Sequence, residues 1–372
     1  MKHESRINCR GWIFSFQKSF YKNKTIPMYF KKLLTVIVSL LLITSCSNEY
    51  FDFHSSKENL EKDSGNLSKN LETFSLEKVE EKQLDFYTTP DKEFLNKLVW
   101  FIKNAKNRVY LEVYILTEKD IIKALKDAKA RWVDVQIILE KNVYWAWNVN
   151  KKAYDSLTWS WVSVTYANND NYVYTHAKFF VIDDSYLIST WNMSYSSFIY
   201  NREFFLVWKD KENLDLILYL FDSDRKWEEK IISNNSLVIS PFDSFDKIRT
   251  ILGSAKKSIW IYDETLSDET IKNLLLEKKK SGIDVKIIIW DPKQIKSNTE
   301  DIIFFEKNWI QIKYPKKPFI HAKAFLVDGE IMYIWSINFT TNSMKNNREL
   351  GIIFKNKNIN NDFINIFNQD LQ

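Results

Sequence analysis

From Phe86 onward the chain switches repeatedly between two hydrophobic periods. Apolar residues three and four apart mark amphipathic helices over Asp91 to Asn104, Glu118 to Ala130, Leu214 to Lys230, Phe242 to Ser254, Asp268 to Lys280 and Thr299 to Lys307. Short apolar runs mark strands over Arg108 to Ile115, Val133 to Leu139, Val162 to Tyr166, Tyr186 to Ser189, Glu203 to Val207, Ser258 to Tyr262, Val285 to Ile289 and Ile310 to Lys313. This alternation predicts the α/β class, with helices on both faces of a mixed sheet. The plan also occurs twice: Ala130 to Ile138 aligns with Lys280 to Ile288, and the neighbouring elements repeat with it. Two homologous α/β/α sandwich halves, 86–232 and 233–372, related by a pseudo-two-fold, are expected.

Before Phe86 neither period holds. Residues 1–27 are basic and irregular, unlike a domain, and are expected to be an over-extended start ahead of a true Met28. Residues 28–45 have the layout of a secretory signal: Lys31 and Lys32, the apolar run Leu33 to Ile43, then Thr44 and Ser45. That run is too short to span a bilayer as a helix. Ile43-Thr44-Ser45-Cys46 resembles the lipobox of bacterial lipoproteins, which implies acylation of Cys46 and an extracytoplasmic body anchored to the cell membrane by lipid. Residues 46–85, rich in Ser, Asn, Glu and Lys, are expected to form a flexible tether.

Composition narrows the chemistry. With 45% hydrophobic residues in 372, the chain can bury a large core. The only cysteines are Cys9 and Cys46, so the folded body has neither disulfide nor thiolate metal site. Net charge is +5, but residues 1–45 carry +7 of it and the remainder is −2. A slightly acidic body lacks the basic footprint of a nucleic-acid binder.

The chemistry lies in one stretch that occurs twice. His176 is followed by Lys178 and Asp183, and His321 by Lys323 and Asp328. A random His in this composition has that company with probability of roughly 0.02, yet beyond residue 60 these are the only two histidines. Each Asp leads through an apolar segment to a polar turn, Ser189-Thr190-Trp191-Asn192 or Trp335-Ser336-Ile337-Asn338. Eleven residues after each Asn comes a Glu, in Asn201-Arg202-Glu203 and Asn347-Arg348-Glu349. Strand alternation puts His176 and Lys178 on one face and makes Phe179 to Ile182 a strand buried on both faces. His, Lys, Asn and a hydroxyl together suit a phosphate.

His-x-Lys-x4-Asp, then a Gly-Ser-x-Asn-like turn and a downstream Glu, is similar to the motif of the phospholipase D superfamily of phosphodiesterases. Two copies in one chain look like its monomeric members. The resemblance implies one His as nucleophile and the other as general acid, here expected to be His176 and His321 in that order. It also implies that Lys178, Lys323, Asn192, Asn338, Ser336 and Thr190 hold phosphoryl oxygens, and that Glu203 and Glu349 orient the imidazoles. Asp183 and Asp328 fall on the opposite face by alternation and are expected to be structural. Lys317, in the Pro315 to Pro318 run, reads as a solvated loop, and nothing calls for a metal or other cofactor. The superfamily and the charge imply hydrolysis of a phospholipid at a membrane surface. A secreted nuclease acting on nucleic acid, a cardiolipin synthase-like transferase and an inactive surface binding module are the alternatives.

The chain holds 14 Trp and only 6 Gly, where Gly ordinarily makes up about 7% of residues. Trp132 sits opposite Gly282 in the repeat, at a helix-to-strand corner where a left-handed residue is expected. Many of these Trp are therefore expected to be UGA codons that the source lineage reads as Gly. Trp132, Trp161, Trp191, Trp309 and Trp335 are the foremost candidates, followed by Trp145 and Trp147.

Overall fold

The computed structural model describes residues 74–82 and 84–372. The expected start at Met28, the signal segment 28–45, Cys46 and the tether from 46 to 73 lie outside the described residues. The first half runs β1 (Asp85–Thr89), α1 (Lys92–Asn104), β2 (Arg108–Val113), α2 (Lys119–Ala130), β3 (Asp134–Leu139), α3 (Lys151–Trp159), β4 (Ser163–Tyr166), β5 (Lys178–Ile182), β6 (Ser185–Ser189), α4 (Tyr195–Ile199), β7 (Asn201–Trp208) and α5 (Lys211–Arg225). The second runs β8 (Leu237–Ser240), α6 (Ser244–Ser254), β9 (Ser258–Asp263), α7 (Glu269–Lys280), β10 (Asp284–Ile289), α8 (Asn298–Lys307), β11 (Gln311–Lys313), β12 (Phe319–Ile320), β13 (Ala324–Val327), β14 (Ile331–Trp335), α9 (Thr341–Lys345), β15 (Glu349–Lys355) and α10 (Lys357–Leu371).

Each half is a mixed sheet, ordered β1-β7-β6-β5-β2-β3-β4 in the first and β11-β10-β9-β13-β14-β15-β8 in the second. β2, β3 and β4 run parallel, as do β9, β10 and β11, while the motif strands β5 and β13 join them antiparallel. Helix starts follow local chemistry: Asp91, Glu118 and Asp268 each accept a backbone N–H of the first turn of α1, α2 and α7. Alternation decides the layers. In β5, Phe179 and Val181 enter a central core built from both halves, with α5 and α10, while Phe180 and Ile182 enter an outer core under α1 and α2. A matching outer core lies under α6 and α7.

Several boundaries depart from expectation. The closing helix expected to reach Lys230 ends at Arg225, because Lys226 caps it and Trp227 turns left-handed. β1, β8 and the C-terminal helix α10 are additional; the two strands are short, whereas Ile359, Phe363 and Phe367 give α10 a legible helical period. The tether does not extend to 85: Phe74, Leu76 and Val79 pack on the outer core of the second half. Lys82 N–H also donates to the Lys355 carbonyl at 3.0 Å.

The tryptophans divide into two groups. Trp132, Trp161, Trp227 and Trp309 have φ of 70°, 61°, 62° and 58°, and Gly282 has 86°. All five sit one residue past a helix cap with the same paired bonds, as in Trp132 N–H to the Lys129 carbonyl (2.9 Å) and Val133 N–H to the Ala128 carbonyl (3.2 Å). Trp132, Trp161 and Trp309 extend into solvent, 86–93% exposed, so their side chains gain nothing for the strain. Trp145 is also left-handed at 61°. Trp147, Trp191 and Trp335 are not left-handed. Trp191 and Trp335 are instead fully buried and crowded, with ring centroids 3.5 Å from Phe205 and 3.4 Å from Tyr333, inside the usual 4.5–7 Å of aromatic pairs. Trp335 also faces Gly351, where an added Cβ would lie 2.6 Å from its own.

In a chain that carries tryptophan at these corners, Trp132→Gly, Trp161→Gly and Trp309→Gly should each stabilise by about 0.5–1 kcal/mol after glycine's entropy is counted, seen as a higher melting temperature. Mass spectrometry of the native protein should find glycine at these positions; tryptophan at 132 would refute the codon reading.

Candidate active site

Each motif His stands just ahead of its strand, not in it, because the backbone leading to it crosses to the other half. Thr175 bridges Arg348, and β12 pairs Phe319 with Asn201 and Ile320 with Arg202, all parallel. A parallel pairing keeps successive residues in step, so each His arrives beside the Glu of the opposite half. His176 Nδ1 lies 3.0 and 2.9 Å from the two Glu349 oxygens. His321 Nδ1 lies 2.7 Å from Glu203 Oε1, close but out of line for a directed hydrogen bond. These exchanged contacts are those of a pseudo-two-fold.

The rest of Asn-Arg-Glu serves the same end. Asn201 and Asn347 donate to Glu203 and Glu349 at 3.1 and 3.2 Å. Arg202 reaches across to Asp370 on α10 at 2.6 and 2.8 Å, and Arg348 reaches across to Asp224 on α5 at 3.1 Å. The repeated tripeptide was the signal for both arginines. The two hydroxyls assigned to phosphate are engaged elsewhere. Thr190 Oγ1 donates to Glu203 Oε2 at 2.6 Å, and Ser336 Oγ bridges the Leu350 N–H and carbonyl at 3.2 and 3.3 Å. Both steady the strand that carries a Glu.

Lys178 and Lys323 are buried at the bottom of the site, each donating to its own His carbonyl, at 2.5 and 2.6 Å. Burial pushes Lys178 down to about 7, with Glu349 opposing and Lys323 adding to the shift. Burial likewise pushes His176 down to about 4 despite Glu349, so its imidazole is neutral at neutral pH. Asn192 and Asn338 each have a buried Oδ1 without a hydrogen-bond partner. Asp183 and Asp328 lie away from the site. Each accepts three consecutive backbone N–H groups, of residues 106–108 and 256–258. Burial raises both carboxyls, but those donors outweigh it and hold them low. Lys317 is exposed ahead of β12.

One site residue was missed. Glu264, next after β9, places Oε2 2.8 Å from Lys323 Nζ and 3.4 Å from both His321 Nε2 and Asn338 Nδ2. Its repeat counterpart is Tyr114, whose ring stands edge-on to His176 at 4.6 Å and 5.5 Å from Lys178 Nζ. An acidic residue at the carboxyl end of an otherwise apolar strand was the available signal. Among the described residues no group of three or more His, Cys, Asp or Glu is placed to hold a metal ion.

A two-sheet α/β frame with paired His and Lys at its seam defines a class, and sequence comparison names it. A family profile described as cardiolipin synthase, PLD-like domain, matches residues 98–225 and again 248–371, and the chain belongs to that phospholipase D-like family. It is 22% identical over 320 residues to a cardiolipin synthase of Geobacillus thermodenitrificans, covering 73% of this chain and 62% of that one. A phospholipase D of Rickettsia bellii is 27% identical over 105 residues, 28% of this chain and 52% of the relative. The chain thus spans about half to three fifths of these relatives' length. Phosphatidylserine synthase from Haemophilus influenzae shares the fold, with a TM-score of 0.61 at 12% identity over 83% of this chain and 90% of that one.

A depressed Lys178 burdens the folded state. Its folded pKa of about 7 lies below the ordinary 10.5, so the penalty is full below pH 7 and fades as pH rises to about 10.5. Lys178→Met should therefore melt about 2–4 °C higher at pH 7 and lose that advantage towards pH 10.

Proposed function

We propose that the chain is a phosphodiesterase of phospholipids that works through a phosphohistidine on His176. The observation that carries this reading is the inequivalence of the two imidazoles. His176 is held neutral with Nδ1 on Glu349, which directs Nε2 at phosphorus. His321 has a carboxylate at each nitrogen, Glu203 at Nδ1 and Glu264 at Nε2, which suits a proton on Nε2. In the first step Nε2 of His176 bonds phosphorus, the phosphorus–oxygen bond to the leaving alcohol breaks, and His321 gives that oxygen its proton. In the second, His321 takes a proton from the incoming hydroxyl as it attacks phosphorus and the phosphorus–nitrogen bond breaks. Lys178, Lys323, Asn192 and Asn338 hold the non-bridging oxygens.

Phospholipid is favoured over nucleic acid by the net charge of −2 beyond residue 45 and by relatives named cardiolipin synthase and phospholipase D. The family description favours a second reading, in which the incoming hydroxyl belongs to another lipid and the reaction is transfer. A lipid anchor at Cys46 would hold the site at the membrane in either case. Among the described residues no helix is long and apolar enough to cross one.

His176→Ala and His321→Ala should each remove nearly all turnover of phosphatidylglycerol. With an activated diester whose leaving group needs no proton, His321→Ala should recover a burst and accumulate phosphoenzyme, and His176→Ala should not. Near-normal turnover by either variant would overturn the mechanism. Labelled phosphatidylglycerol decides the acceptor: phosphatidate as product means hydrolysis, cardiolipin means transfer, and cleavage of DNA alone would refute the lipid reading.

The anchor is tested separately. Labelled palmitate should enter the wild type and not Cys46→Ser, and labelling that survives the substitution would count against the lipobox.

A further inference from the structure

We propose that Glu264 makes this site selective for phosphodiesters over phosphomonoesters, a proposal that rests on the phosphodiesterase reading above. Its Oε2 sits where the second half would hold a phosphoryl oxygen: Lys323 Nζ at 2.8 Å, Asn338 Nδ2 at 3.4 Å and His321 Nε2 at 3.4 Å converge on that one atom. An incoming phosphoryl oxygen takes the same donors and must displace it. Burial opposes its charge, but Lys323 and His321 outweigh that and hold the carboxyl far below its usual range, so it leaves as an anion. The backbone cannot follow, because Asn298 Nδ2 holds the Glu264 carbonyl at 2.9 Å. The side chain is 21% exposed and can rotate towards the opening, where it still faces the bound phosphoryl group. The first half has no such group, since Tyr114 fills the equivalent position and offers Lys178 only a ring face.

A displaced carboxylate a few ångströms away penalises each negative charge on the ligand. A diester carries one. A monoester carries nearly two above its second pKa of about 6, and inorganic phosphate behaves alike. The product of lipid diester hydrolysis is a monoester, so the same carboxylate expels it.

The test compares binding of diphenyl phosphate and phenyl phosphate at pH 8 by calorimetry, in the wild type, Glu264→Gln and Glu264→Asp. Glu264→Gln keeps size and hydrogen-bonding reach without charge. It should tighten both ligands, since both displace the carboxylate, but phenyl phosphate roughly fivefold or more beyond diphenyl phosphate, while Glu264→Asp keeps the wild-type ratio. Because the ratio of the two ligands is read within one protein, a fall in folded fraction cancels. Equal tightening of both ligands, no change, or weaker binding in Glu264→Gln would overturn the proposal. Turnover is not needed for this reading, so an inert wild type would count against the phosphodiesterase and leave the selectivity decided by binding.

Discussion

The structure depends on a parallel backbone bridge that crosses between the halves on both sides of the site. Thr175 beside Arg348 and Ile320 beside Arg202 bring each His to the Glu of the opposite sheet. The same residues bring the two arginines to Asp224 and Asp370 on the closing helices, as buried pairs that would be costly to break one-sidedly. Imidazole orientation and the docking of the halves are thus one set of contacts. A chain that lost the docking would lose both histidine–glutamate pairs with it.

Within this symmetric frame the two half-sites differ, and the differences cluster at the strand ends. Tyr114 faces Glu264 across the repeat, and Glu140 faces Trp290. Glu140 accepts the Thr175 N–H at 2.8 Å and so steadies the approach to His176, whereas Trp290 stacks on Phe319 and stands edge-on to His321. Duplication supplies two similar cradles, and a few substitutions at the ends of strands then give each cradle its own electrostatics. One lysine, buried beside an aromatic ring, is pushed towards neutrality, while the other is held by a carboxylate.

The tryptophan-capped helices show how strongly the frame constrains its corners. Four helix ends close through the same pair of bonds as the one with Gly282, although a bulky residue occupies the left-handed position. The tertiary path from helix to strand leaves no other conformation, so the corner geometry persists whichever residue fills it.

Hydrophobic period alone made most helices, strands and the twofold plan legible, because burial on one face or two leaves a direct mark on residue order. The His, Lys, Asn and Glu of the site were legible for the same local reason: each motif sits in a short segment with fixed spacing. Counting alternation set Asp183 and Asp328 on the other face, whereas each lies in a left-handed turn just past its strand, with φ of 51° and 55°. Pairings between distant segments left no such mark. That Glu349 serves His176, that Thr190 and Ser336 brace strands, that Phe74, Leu76 and Val79 pack on the second half, and that Glu264 enters the site at all depend on which segments meet across the interface. Those contacts join residues far apart in the chain, and only the packing of two sheets against one another brings them within hydrogen-bonding distance.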